Sequence, residues 1–223
     1  MGSHPEFTTD SFAFLEELAA NNEREWYKAN RERHREALED PFARLLGQAT
    51  EILTAEGIEL YGGKRTMFRI QRDTRFSKDK TPYKTTTSGM LTPSGDKKEM
   101  GGIVYAQIDA EGGFLGAGYY NLSPKALGPI RRRMIAEPEG LQQMLDHLRR
   151  HGRELSMDMA LRTMPRGFEA HKDSEVAPYV RLKSLLTSEK PGREAWLDGS
   201  IVERLVSMAR EVQPLLAYGR VSG

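Results

Sequence analysis

The chain has 223 residues, of which 38% are hydrophobic and 29% charged, with a formal net charge of +1 at pH 7 and no cysteine. Such a length and balance suit a single hydrophobic core, and the near-neutral total argues against a surface given over to wrapping nucleic acid. The lack of cysteine excludes a disulfide framework, a thiolate metal site and a cysteine nucleophile, and the lack of an apolar leader or of an apolar run of about 18 residues reads as cytoplasmic, with no membrane partner.

Residues 1–9 read as a disordered or tag-derived N-terminus, 10–219 as a single α+β domain and 220–223 as a tail. Phe12, Leu15, Leu18 and Ala19 recur at helix spacing behind the capping candidates Asp10 and Ser11. Asn22 with Glu25 three residues on is a reciprocal cap for a second helix. Asp40-Pro41 opens a third, since proline loses nothing in a first turn, and Phe42, Leu45, Leu46, Ala49, Ile52 and Leu53 form its apolar stripe up to Gly57.

The period then becomes alternating. Thr66–Gln71, Thr85–Thr92, Ile103–Asp109 and Phe114–Tyr120 read as strands, joined in part by short glycine-containing turns that favour antiparallel neighbours. Helices return at Ser123-Pro124, with Leu127, Ile130, Met134 and Ile135 inward, and at Pro138, with Leu141, Met144, Leu145 and Leu148 inward. Tyr179–Leu186 reads as a further strand, and Ser200 with Glu203 caps a last helix that Pro214 breaks or restarts. The order implies an α+β fold: an antiparallel meander sheet of about four to six strands covered by N-terminal and C-terminal helices.

Charge is unevenly placed. Between Lys64 and Lys84 stand eight basic residues against Asp73 and Asp79, whereas Ser11–Glu56 carries ten acids and six bases. Arg72, Arg75, Lys78, Lys80 and Lys84, with hydroxyls on Ser77 and Tyr83 among others, are the ingredients of an anion site: arginine supplies a planar fork and lysine a movable charge. The bland reading is a solvated loop whose cations pair with Asp73 and Asp79. Exposed pairs contribute only about 0–1 kcal/mol each, a weak reason for so many charges.

Together with Asn21-Asn22-Glu23-Arg24-Glu25-Trp26, this loop resembles the two signature blocks of the bacterial and fungal domain-of-unknown-function family 2461. Gly118-Tyr119-Tyr120, Leu127, Arg131, Pro165-Arg166-Gly167-Phe168 and Leu182-Lys183-Ser184 extend the similarity from Phe12 to Pro214. Tyr27 stands where that family has Phe. The resemblance implies one α+β domain of bacterial, intracellular type and supplies neither an activity nor a catalytic residue.

Other motifs are weaker. Ser77 and Lys80 have the S-x-x-K spacing of an activated serine, but Pro82 interrupts any helix there. His147 and His151 share a helix face without a third ligand, so no metal is expected. Gly116 and Gly118 lack the pattern of a dinucleotide loop, and no cofactor is expected. Three functions stay open. The first is a module binding a small anionic or phosphorylated ligand through Arg72, Arg75, Ser77, Lys78, Lys80, Tyr83 and Lys84, with Arg24 and Trp26 as weaker contributors and nucleic acid less favoured. The second is an enzyme with Asp73, Asp79 or Tyr83 in acid/base roles, and the third a scaffold with a structural loop. The oligomeric state is not legible.

Overall fold

A computed structural model describes residues 7–99 and 101–220. The fold is α+β. Helices α1 (Thr9–Ala20), α2 (Arg24–Ala29), α3 (Arg31–His34) and α4 (Asp40–Ala55) precede strands β1 (Thr87–Leu91), β2 (Ile103–Asp109) and β3 (Gly112–Tyr119). Then follow α5 (Pro124–Ala136), α6 (Pro138–Arg150), α7 (Ala177–Val180), β4 (Leu185–Glu189), α8 (Arg193–Leu197), α9 (Ile201–Glu211) and α10 (Gln213–Gly219). The strands form one antiparallel sheet in the order β1-β2-β3-β4. The first three are a meander, and the helical stretch from α5 to α7 precedes the fourth.

The chain gathers into two compact units, one of residues 7–99, 104–115 and 189–207, the other of 101–103, 116–188 and 208–220. In the first unit β1 pairs with β2 from Thr87↔Ile108 to Leu91↔Val104. Alternation sends Gly89 and Leu91 to the same face as Ala106 and Val104. Helix α4 lies against it so closely that a Cβ at Gly89 would come within 2.7 Å of Leu46 and 3.2 Å of Phe42. The stripe expected on α4 is buried at Phe42, Leu45, Leu46, Ala49 and Leu53, with Ile52 half-buried. Phe7, within the stretch read from sequence as a disordered or tag-derived N-terminus, is 3% exposed and meets Trp196 edge-on at 4.9 Å between ring centroids.

Several local expectations need correction. Thr8, rather than Asp10 or Ser11, caps α1, accepting from the Asp10 amide at 3.2 Å. The helix at Pro41 does not begin afresh at Asp40: α3 runs into it through a π-helical turn, Arg35–Glu39. A proline inside a helix removes the donor for the carbonyl four residues back and crowds it with its ring. That carbonyl is Ala37, and the Ser11 hydroxyl donates to it at 2.7 Å, while the widened turn gives the ring room. Thr66–Gln71 is not a ladder strand. Thr66 folds its hydroxyl back onto Gly63 in a 3₁₀ turn, leaving isolated bridges Met67↔Gly89 and Gln71↔Tyr83. Tyr179–Leu186 begins in the helical turn α7 and reaches strand geometry only at Leu185.

In the second unit, Ser123 caps α5 by accepting from the Ala126 amide at 3.2 Å, and Gly152, at φ 68°, follows the end of α6. Arg131 is 5% exposed and donates to the carbonyls of Val180 at 2.8 Å and Leu182 at 3.0 Å. The Asn121 amide donates to Ser184 Oγ at 2.8 Å. Gly118, at φ 126°, brings its backbone so near β4 that a Cβ would sit 2.1 Å from the Leu185 carbonyl oxygen. Burial pushes the Arg131 pKa down from its usual value.

Candidate functional site

The loop Arg72–Lys84 leaves and rejoins the first unit through a short neck. The Arg72 amide donates to the Pro82 carbonyl at 2.9 Å and the Lys84 amide to the Ile70 carbonyl at 2.8 Å, on either side of the Gln71↔Tyr83 bridge. Asn22 seals the neck, accepting from the Tyr83 amide and donating to the Tyr83 carbonyl, each at 3.0 Å. Its expected role as a helix cap is therefore corrected: Glu23 holds the cap position of α2, without a side-chain bond. The amide that could have capped a helix closes the loop by the same chemistry. Tyr27 stacks on Tyr83 at 4.2 Å between ring centroids, and its hydroxyl meets His34 Nδ1 at 3.1 Å.

Within the loop the charges are largely committed. Arg72 donates to both Asp79 and Thr81. Asp79 also accepts from the amide and hydroxyl of Thr81, each at 2.9 Å. These donors, the Thr81 amide foremost, hold the Asp79 carboxyl down at about 2. Asp73 accepts from Arg75 Nη2 at 2.7 Å, from its Nε at 3.0 Å and from its amide at 3.2 Å, and the Arg75 guanidinium holds that carboxyl below the usual range. Lys80 Nζ donates to the Thr74 carbonyl at 2.9 Å and Lys84 Nζ to the Arg69 carbonyl at 3.0 Å. Lys84 also lies 5.6 Å from the Phe68 ring centroid, and burial lowers its pKa.

The tip is different. Phe76 is 95% exposed, the Arg75 side chain is 77% exposed with its guanidinium 5.8 Å from the Phe76 centroid, and Lys78 is exposed. Ser77 is half-buried, and its amide donates to the Thr74 carbonyl at 3.3 Å. Of the predicted binding residues, Arg75, Ser77 and Lys78 thus lie at the tip, while Arg72, Lys80, Tyr83 and Lys84 build the stem. Among the described residues no ion pair joins the loop to Glu23 or Glu25. Arg24 is exposed on α2, and Trp26 is half-buried against Phe14 at 5.6 Å between centroids.

The remaining motifs have backbone partners. His147 Nε2 donates to the Glu211 carbonyl at 3.0 Å and His151 Nδ1 to the His147 carbonyl at 2.9 Å. Among the described residues no group of three potential ligands for a metal ion occurs. Lys80 binds a carbonyl rather than Ser77. Sequence reasoning missed Phe76, whose only signal was an aromatic inside a polar loop, and Tyr27, whose partner is distant in sequence. Among the described residues no helix is long and apolar enough to cross a membrane.

A family profile described as "Conserved hypothetical protein (DUF2461)" matches residues 10–218, nearly the whole chain. No curated protein and no solved structure matches it.

Proposed function

The chain belongs to the DUF2461 family of conserved hypothetical proteins, and from that premise and the loop geometry we propose a binding module for an anionic ligand, phosphorylated or polyanionic, engaged at the loop tip by Arg75, Lys78 and the Ser77 hydroxyl. One observation carries the reading: Lys78 is exposed and, among the described residues, in no ion pair, on a loop whose neck is clamped. Arg75 adds a fork whose ion pair, among the described residues, is with an exposed neighbour, Asp73. Such pairs contribute little, so a phosphate can take the fork over at small cost. Arg72 and Lys80 support the tip without touching the ligand. A rigid stem presenting an adaptable tip is the usual arrangement of a binding loop.

The enzyme reading has less behind it. A general acid or base works best with a pKa near the working pH, and Asp79 and Asp73 are both held ionised by their donors. The scaffold reading has one specific support, the Arg72–Asp79–Thr81 network, which accounts for Arg72 as a strut.

Binding of labelled polyphosphate, followed by fluorescence anisotropy across a salt series, tests the proposal. The wild-type affinity should fall steeply with salt, and Arg75→Ala with Lys78→Ala should weaken binding by about tenfold or more at an unchanged Tm. Arg72→Ala should instead lower Tm. Equal binding by the double variant and the wild type would leave the scaffold reading in possession.

A further inference from the structure

Phe76 is the anomaly of the surface: the other phenylalanines are buried or half-buried, and this one stands almost wholly in water between two cations. A small anion has no use for a phenyl ring. The second unit carries the converse feature, a hollow of about 180 Å³ lined by Leu145, Leu148, Leu155, Met157 and Tyr179. An apolar cavity of ~150 Å³ is enough to take a benzene molecule, so this one admits a phenyl ring. Its mouth is open, because Met157 is 44% exposed.

Charge agrees with shape. Glu154 lies on the rim, and the hollow shares Glu154 and Leu155 with a polar cleft of about 410 Å³ that Asp158 also lines. Both carboxylates are exposed. Of the cations lining the two cavities, Arg149 of the hollow is held by Asp146 at 2.6 Å and Arg153 of the cleft is buried and paired with Glu211. We propose that the Phe76 tip of one copy docks in the Leu145–Leu148–Leu155–Met157–Tyr179 hollow of another copy, with Arg75 and Lys78 against Glu154 and Asp158. Knob and socket are different surfaces, so the contact either closes reciprocally into a two-fold dimer or continues head-to-tail into a ring or a chain, and the mass reached in sedimentation tells these apart. A buried aromatic flanked by arginine is also the composition of an interface hot spot.

The inference does not rest on anion binding, since Phe76→Ala leaves both cations at the tip. Sedimentation velocity over a concentration series tests it. Wild-type protein should gain mass with concentration, whereas Phe76→Ala and Met157→Lys should each associate roughly thirtyfold more weakly or worse. Mixed together, the two variants should form a one-to-one pair and stop there: the intact knob of the Met157→Lys copy fills the intact socket of the Phe76→Ala copy, and neither remaining surface can continue. Glu154→Lys, at an exposed rim position, serves as a second socket variant should Met157→Lys fold poorly. A wild type that stays monomeric to its solubility limit, a Phe76→Ala protein that associates like the wild type, or an unpaired mixture would each overturn the proposal. Polyanion binding measured on Phe76→Ala reports separately on the cations.

Discussion

Asn22 reaches across 61 residues of sequence to bond both backbone groups of Tyr83. Replacing it by alanine removes two hydrogen bonds at the neck of the loop and should lower stability by about 1–2 kcal/mol, with faster proteolysis within residues 72–84. Asn22→Asp keeps the acceptor but sets a carboxylate oxygen against the Tyr83 carbonyl, and urea unfolding should show at least an equal loss. Below this neck, His34 is 3% exposed, and burial depresses its pKa to about 4. The unfolded chain therefore binds a proton near pH 6.5 that the folded chain refuses until about pH 4. Stability from this residue is intact above the unfolded value and is lost as pH falls through that window, by roughly 3 kcal/mol at the acid end. Comparing wild type with His34→Gln in urea melts at several pH values should show the slope flattened in the variant. Side chains such as Asn22 are hard to place from sequence because capping a helix and bonding a distant backbone draw on one amide chemistry. The cations of the loop were legible as a group. Their division into stem and tip was not, because it depends on which of them meet carbonyls and carboxylates.

Helices with strong 3.6-residue stripes, such as α4 and α6, were legible because burying one face is their main source of stability. Strand β2 emerged with its expected ends, its outward and inward residues alternating without interruption. Thr66–Gln71 showed a similar alternation and failed as a strand, since pairing rather than pattern makes a ladder and the bridges at Met67 and Gln71 stand alone. The junction at Pro41 is the element whose energetics follow most directly from its atoms. Ser11→Ala leaves the Ala37 carbonyl without its donor and should cost about 1–2 kcal/mol. In a Pro41→Ala background position 41 regains an amide hydrogen that can turn to that carbonyl, so the same substitution should cost distinctly less. A double-mutant cycle by thermal or urea unfolding measures the difference. Arg131 acts between elements, tying α5 to the turn after α7. Arg131→Met abandons two carbonyls in a dry setting and should lower stability by about 2–4 kcal/mol, read as a shift of the urea midpoint.

At the scale of the molecule, composition, order of elements and family were all legible, because they depend on residue types and their succession. The two compact units were not. Each is assembled from three separate stretches, with changeovers near residues 100, 104, 116, 189 and 208, so no single linker exists for composition to mark. Net charge also belongs to this scale. Changing Arg75 and Lys78 both to glutamate moves the formal total from +1 to −3, each reversal subtracting two. The variant should elute earlier from a cation exchanger at pH 7 and bind polyphosphate more weakly than the double alanine variant does. The π-helical turn at Arg35–Glu39 has a wider consequence. Such a turn holds one residue more than an α-helical path, and each residue advances a helix by about 100°. Deleting a single amino acid there would yield a more regular spiral and a worse protein. Everything upstream would rotate by nearly a third of a circle, swinging Tyr27 off the ring of Tyr83.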